Sequence, residues 1–512
     1  MTRRREKLVI VKNAVANVAR GGAASLVALL LPPFLTRSMS QQSFGAWSLV
    51  LQLSAYVGYF DFGIQTALAR FVAHSTERGE SGYRNRIVST AFAMLAVSGG
   101  ISFLGILAIA ALLPILFHQL DGGLVVGVRT ALLLVGGSLA FGLPSSVFAS
   151  MFVGLQRNEI PATIIGLSRL IGAALVVIVV RRGGGLASMA VATAAVNLFS
   201  SLLQYFAYRR MLPDLAISLA GVSRSVAREL VEYCVSLTVW GMGMLLVTGL
   251  DLTIVGAYRF REVGYYAVAA TLVTFLNGLF GALFGAMGSP AAVLHARDDR
   301  AGLGRMVSTS TRLGMILLLA VGLPLIFGAR LILGPWVGPT YAQHAALLVQ
   351  ILVAATIVRI CVSPYIIAMI GTGEQRRIIM VPILEGVVNL ISSLIAGYYL
   401  GAVGVALGTL IGAFVSLAGH LFYNMRRNVA IQLGAAEYLR DSLVRPFLCT
   451  APILILAVLW HPLLSSLPFW LPGLFLTVSG LLTLALVWGF GLMPMERRKL
   501  IAQIGSKWRP LN

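Results

Sequence analysis

Arg86-Ile87-Val88-Ser89-Thr90 and Arg305-Met306-Val307-Ser308-Thr309 are nearly identical and lie 219 residues apart. Each follows a Val-x-His tripeptide, Val72 to His74 and Val293 to His295, and each sits in a charged gap between long apolar runs. A second pair at the same offset, Phe44-Gly45 and Val263-Gly264, precedes two further apolar runs. The chain therefore reads as a duplication within a membrane protein. Two like halves packed face to face enclose a cleft that can open first to one side of a bilayer and then to the other.

Composition agrees with a membrane protein. Hydrophobic residues are 58% of the chain and charged residues 11%, against roughly 45–50% and about 25% in a soluble domain. Apolar runs of about 20 residues, enough to cross ~30 Å of hydrocarbon, centre near residues 24, 54, 101, 138, 171, 196, 244, 275, 322, 356, 389, 412, 455 and 480. The expected fold is an all-α polytopic membrane protein of about fourteen transmembrane helices, two parallel six-helix bundles plus two carboxyl-terminal helices. The 219-residue offset shifts the pattern by six spans, an even number, so the halves keep one orientation and are related by an axis along the membrane normal. Expected boundaries are 1–210 for the first half, 211–232 for a cytoplasmic connector, 233–425 for the second half, 426–492 for two extra spans and 493–512 for a basic tail.

A net charge of +21 would suggest nucleic acid in a soluble protein, but its distribution excludes that partner. With a cytoplasmic amino terminus, 29 of the 39 basic residues fall on the inner side and only Arg37, Arg129, Arg181, Arg182, Arg259, Arg261 and Arg330 lie near outer ends. This satisfies the positive-inside rule, places both termini in the cytoplasm and offers contacts to anionic membrane lipids. The first apolar stretch has spanning length and no small-residue cleavage site after it, so it reads as a retained helix rather than a signal peptide. Cys234, Cys361 and Cys449 lie in or beside apolar runs without metal-ligand spacing, which predicts neither a disulfide framework nor a zinc site. No stretch is long and polar enough to fold as a soluble domain. In the connector, Val222, Val226 and Leu230 form one row and Arg224 and Arg228 another, the pattern of an amphipathic helix on the inner surface; the segment from Glu437 to Arg445 has a similar character. Pro32, Pro33, Pro144, Pro324 and Pro364 each remove a backbone hydrogen bond and permit a bend, the adjacent pair most strongly, although membrane helices also tolerate proline.

Charged residues inside spans must face protein, water or a ligand, because insertion at a helix centre costs roughly 2.5–3.5 kcal/mol. Arg20, Asp61, Arg169, Asp251, Arg359 and Glu385 are of this kind. Arg20 and Asp61 stand at similar depth on the first two spans and can form a structural ion pair. Arg169 and Arg359 suit an anionic ligand, since the guanidinium fork matches phosphate oxygens; snorkelling is the competing account for Arg169. Glu385 and Asn389 share a helix face, and Asp251 can approach them if the seventh and eleventh spans are neighbours. Two carboxylates and an amide suit a hard cation or a proton relay, or helix-packing hydrogen bonds.

The run Pro33-Phe34-Leu35-Thr36-Arg37-Ser38, then Phe44-Gly45-Ala46-Trp47, Asp61-Phe62-Gly63-Ile64 and Ala69-Arg70-Phe71-Val72-Ala73 resembles the Wzx-type O-antigen and polysaccharide flippases of the multidrug/oligosaccharidyl-lipid/polysaccharide exporter superfamily. The resemblance implies transport of undecaprenyl-pyrophosphate-linked oligosaccharide across the bacterial inner membrane, with a polysaccharide polymerase and chain-length proteins as partners. It also implies a role for Arg20, Arg169 and Arg359 in holding the headgroup. Similar lipid II flippases bind sodium with an acid of the seventh span and polar residues of the eleventh, which Asp251, Glu385 and Asn389 match in type. Acid and amide are exchanged in order on the eleventh span, so sodium and proton both stay open as coupling ions; no other cofactor is implied. A multidrug exporter would need acids rather than arginines in the amino-terminal cleft. A membrane glycosyltransferase or polymerase would need a sizeable outer loop carrying catalytic groups, and none is present in the sequence.

Overall fold

A computed structural model describes residues 26–428, 431–452, 454–455, 478, 480–493 and 497. The chain is an all-α, multi-pass membrane protein: among the described residues ten helices are long and apolar enough to cross a bilayer. Each contains one of the expected centres. Of the other four centres, that near 54 falls in a helix interrupted at residues 56–63, that near 480 in the shorter apolar helix Gly480–Gly491, that near 24 lies outside the described residues, and that near 455 lies at the edge of a stretch, 456–477, that is outside them.

The chain divides into two compact units, and neither is one half of the duplication. The first comprises residues 1–278, 334–348 and 382–409; the second comprises 279–333, 349–381 and 410–512. In the first, α1 (Leu26–Ser38) is followed by α2 (Gln41–Ala55), α3 (Ile64–Glu77), α4 (Ser81–Leu116), α5 (Gly122–Gly142), α6 (Ser146–Gly154), α7 (Glu159–Arg181) and α8 (Leu186–Met211). Its core carries Leu68, Val72, Ile87, Val88, Leu95, Val147, Met151 and Phe152. Then come α9 (Arg224–Met244), α10 (Asp251–Tyr258) and the start of α11 (Val263–Gly285). Beyond these lie α12 (Gly288–Ala296), α13 (Arg300–Phe327), α14 (Ala329–Val337), α15 (Pro339–Ile360), α16 (Ser363–Gly371), α17 (Met380–Leu400) and α18 (Ala402–Ala418).

Some backbone features recur at or near the spacing of the repeated motifs. Left-handed residues end α3, α6 and α7 at Gly79, Gln156 and Gly183, and end α12, α16 and α17 at Asp298, Gly373 and Gly401. Gly79 and Asp298 illustrate the chemistry: each closes a helix with paired backward bonds, from its own amide and from the next, a motif that favours glycine and tolerates Asp. The two pentapeptides occupy the second turns of α4 and α13. Ser89 and Thr90 accept from the backbone amides of Ser218 and Ser223 at 3.1 Å, while Ser308 bonds Ser442 at 2.9 Å. Ser89 and Ser308, at matching positions of the two pentapeptides, thus fasten the segments that follow Met211 and Arg427. A third correspondence joins the copies directly. A Cβ on Gly45 would lie 3.1 Å from the Gly264 amide, and one on Gly264 would meet the Gln41 carbonyl at 3.1 Å. Residues that meet their own counterparts are the signature of a two-fold contact.

Three expectations meet a different local structure. The stretch from Val222 to Leu230 is not a separate surface helix. A short turn spans Leu219–Gly221, and from Arg224 one helix runs on to Met244, because no proline or strand-like run stops it. Val226 and Leu230 are buried while Arg224 and Arg228 are exposed, so the amphipathic pattern belongs to its first turns. Pro32 and Pro33 do not break α1. Pro33 cannot bond to the Leu29 carbonyl four residues back, and Trp336 Nε1 donates to that carbonyl at 2.8 Å; Arg37 donates to the Pro335 carbonyl beside it. Pro144 and Pro364, by contrast, do coincide with breaks, at 143–145 between α5 and α6 and at 361–362 between α15 and α16. Arg312, counted above as a cytoplasmic charge, is fully buried in α13. It contributes, after Arg440 and Arg445, to holding the Asp441 carboxyl below its usual range.

Candidate functional site

The first site lies where α9 passes into α10. After α9 the chain makes a wide turn of π-helix over Leu245–Gly249 before α10 starts at Asp251. Such a turn shifts backbone carbonyls out of helical register and is common at functional positions. Here other helices use them. Asn389 of α17 donates through Nδ2 to the carbonyls of Leu246 at 3.1 Å and Val247 at 2.6 Å. From α2, Gln52 Nε2 and the Tyr56 hydroxyl donate to the Gly249 carbonyl at 2.8 and 2.7 Å, and Tyr56 also bonds Thr253 at 2.6 Å. The wide turn is thereby held from two sides. Gly243 and Gly386 permit this approach: a Cβ on Gly386 would stand 2.8 Å from that of Leu246.

Asp251 is 7% exposed, and its Oδ2 accepts from the Tyr266 hydroxyl of α11 at 2.9 Å and from Thr409 Oγ1 of α18 at 3.0 Å. Thr409 also bonds the Val405 carbonyl, which accepts from Ser393 Oγ at 3.3 Å; Ser393 in turn donates to Asn389 Oδ1 at 3.2 Å. The wide turn, Asn389, Ser393, Thr409 and Asp251 thus form one polar cluster, in which the Ser393 and Thr409 hydroxyls each have one proton to share between two acceptors. Of the three residues expected to cluster, Asp251 and Asn389 belong to this network, and Glu385 lies buried one helical turn from Asn389 on α17. The donors are all oxygens of mixed type: carboxylate, hydroxyl, amide and backbone. Oxygens of these types can hold a hard cation or pass a proton; among the described residues no group of three or more His, Cys, Asp or Glu side chains is placed to hold a metal. Sequence reasoning missed Tyr266, Ser393 and Thr409. Ser393 carried only the weak signal of a polar residue four positions after Asn389 in an apolar run, and Tyr266 and Thr409 carried none.

A cavity of about 910 Å³ lies among α1, α2 and α5–α8. Its polar wall includes Gln65, Ser138, Ser168, Asn197 and Gln204, and Arg169 is the charged residue among those lining it. Asn197 Nδ2 donates to Ser138 Oγ at 3.0 Å, which fixes one side of the wall. The size is that of an organic-ligand site, and the sign of its charge is positive. Arg359 is half-buried in the last turn of α15 and does not line this cavity. Arg20 lies outside the described residues. Asp61, offered as its partner, accepts from the Gln65 amide at 3.1 Å and so caps the entry to α3, the usual work of a carboxylate at a helix start.

With this geometry in hand, the sequence matches the family described as "Polysaccharide biosynthesis protein" over residues 10–291. No curated protein matches it. The fold is similar to that of solved transporters. A lipid II flippase, MurJ, in an inward closed conformation superposes with a TM-score of 0.69 at 12% identity, covering 96% of this chain and 99% of that one. An inward-facing multidrug resistance transporter of the MATE family gives 0.65 at 14% identity, covering 84% and 99%. The eukaryotic MATE transporter AtDTX14 gives 0.61 at 13%, covering 86% and 99%.

Proposed function

Since the chain belongs to the polysaccharide biosynthesis protein family and has the multi-pass transporter fold of the MOP superfamily, we propose that it flips a lipid-linked oligosaccharide across a bacterial inner membrane. The substrate class is an undecaprenyl-pyrophosphate-linked repeat unit of an O-antigen or exopolysaccharide, moved from the inner to the outer leaflet by alternating access of fourteen helices in two six-helix halves and two more. The observation that carries this reading is the cavity of about 910 Å³ whose lining charge is Arg169. A pyrophosphate that leaves water needs a partner that stays charged in a low-dielectric site, and a guanidinium meets that need with a fork of donors. Arg169 takes the headgroup; Arg20 and Arg359 are assigned a supporting part in the same transfer. Serine, Asn197 and Gln204 hydroxyls and amides on the wall suit sugar hydroxyls.

Coupling is assigned to the network of Asp251, Asn389 and Thr409, with Glu385 a turn away; it takes sodium or a proton. The protein acts by transport, hands its product to a polysaccharide polymerase and chain-length proteins, and contacts anionic lipids through basic cytoplasmic ends. Multidrug export is the less suited reading, because a cationic drug would meet Arg169. Complementation of a flippase-null strain tests the assignment. Surface glycan should fall in the order wild type, Arg169→Lys, Arg169→Gln at equal membrane abundance, and full export by Arg169→Gln would remove Arg169 from the headgroup site.

A further inference from the structure

The first unit carries a second cavity, which shares no lining residue with the one that Arg169 lines. It measures about 620 Å³ and runs between α4 and α9, lined by Thr90, Ala93, Met94, Val97 and Ser98 on one side and Ala227, Val231, Cys234, Val235 and Thr238 on the other. These positions recur at intervals of three and four on both helices, so each helix presents a single stripe of small side chains and the two leave a gap between them. Val97, Val231 and Val235 are 64%, 49% and 56% exposed, so the groove opens at the surface. It is closed at one end by Phe62, whose carbonyl accepts from Thr238 Oγ1 at 3.0 Å. At the other end Thr90 bonds the Ser223 amide at 3.1 Å.

Length and charge select an occupant. From Ala227 to Thr238 the groove follows α9 for about 16 Å at 1.5 Å per residue, roughly half of the ~30 Å hydrocarbon core and hence one leaflet. Its Thr90 end is the basic end. Arg86 stands one turn before Thr90 on α4 and Arg224 one turn before Ala227 on α9, both exposed. The acids nearby are already engaged: Glu229 accepts from the Tyr83 hydroxyl at 2.6 Å and Glu232 pairs with Arg228 at 2.9 Å. Among the described residues neither Arg86 nor Arg224 makes an ion pair or a side-chain hydrogen bond, although Arg86 lies close enough to Tyr83 to act on it electrostatically.

We propose that this groove holds one acyl chain of an anionic phospholipid of the cytoplasmic leaflet, with the headgroup phosphate between Arg86 and Arg224. An apolar stripe open at the surface needs hydrocarbon over it, and basic pockets between helices on the cytoplasmic side bind anionic headgroups. The site stands whether or not the protein is a flippase.

Quenching tests it in proteoliposomes. Bimane is attached to Val97→Cys in a background with Cys234, Cys361 and Cys449 replaced by serine, and acyl-brominated phosphatidylglycerol, acyl-brominated phosphatidylcholine or undecaprenyl phosphate is added to unbrominated carrier lipid. Brominated phosphatidylglycerol should quench at least fivefold more effectively than brominated phosphatidylcholine. Arg86→Gln with Arg224→Gln should abolish that preference, and Ala93→Leu, a small change within the groove, should lower quenching by both. Equal quenching by the two phospholipids, or a preference untouched by the arginine pair, would overturn the proposal. So would displacement of the brominated phosphatidylglycerol by undecaprenyl phosphate at lower concentration, which would give the groove to the transported lipid. Circular dichroism of each variant separates loss of the site from loss of the fold.

Discussion

Asn389 shows how one side chain can organise a site inside a bilayer. Its amide group donates to two carbonyls released by the wide turn before Asp251 and accepts from Ser393, so it reads the turn's shape and relays it toward Thr409. Replacing it with leucine takes the Asn389 donor from two carbonyls, while Ser393 keeps the Val405 carbonyl. The expected cost is about 1–3 kcal/mol, seen as a lowered midpoint of thermal unfolding in detergent; an unchanged midpoint would mean that water serves those groups equally well. Asp251→Asn tests the coupling assignment at the same scale. The amide keeps the hydrogen bonds of Tyr266 and Thr409 within reach but removes the charge, so the ion dependence of transport in proteoliposomes should weaken while insertion and abundance stay normal. Asp251, Glu385 and Asn389 were legible in the sequence because a charge or amide in an apolar run needs a reason. Ser393 and Thr409 were not, since hydroxyls are common in membrane helices and bond their own backbone, as Thr409 does to Val405.

At the scale of elements, the turn at Leu245–Gly249 is an extra residue's worth of backbone placed just before Asp251. Deleting one residue within it should restore an ordinary helix and rotate everything after it by about 100°, turning Asp251 away from Tyr266 and Thr409. Such a variant is expected to insert normally and to transport at background level; wild-type transport would show that the register of α10 is immaterial. The α1 helix offers a cleaner case. Pro33 frees the Leu29 carbonyl and Trp336 satisfies it. Trp336→Phe should therefore cost about 1–3 kcal/mol, and Pro33→Ala should recover much of that loss by restoring an intrahelical donor, a coupling that a double-mutant cycle measures. Independent, additive effects would refute the pairing. A proline pair is visible in any sequence, but whether it bends a helix depends on a tryptophan some 300 residues away, which no local pattern records. Helix positions were legible for the converse reason: a 20-residue apolar run leaves little choice in a bilayer. The continuation of α9 through Arg224–Leu230 was not, because the same amphipathic stripe fits a helix lying on a membrane or one packed on Leu68 and Val72.

For the whole molecule, the repeated motifs point to a duplication, which is tested by superposition. The left-handed turns, the serine fastenings of α4 and α13 and the Gly45–Gly264 crossing all recur at or close to one offset. An experimental structure should superpose residues 10–210 on 230–425 by a rotation of about 180° around the membrane normal; an axis in the membrane plane would contradict the parallel repeat. Glycan identity was never legible, because selectivity depends on how a cavity's wall is shaped and not on which residue types line it. The central claim is that the protein flips a pyrophosphate-linked oligosaccharide lipid. The most direct measurement is flipping itself: purified protein in proteoliposomes containing an undecaprenyl-pyrophosphate oligosaccharide, with the outward-exposed fraction titrated by a membrane-impermeant lectin. Wild type should expose the inner pool at a rate set by the ion gradient, and Arg169→Gln should slow it at least tenfold. A rate equal to protein-free liposomes, under either a sodium or a proton gradient, would contradict the account.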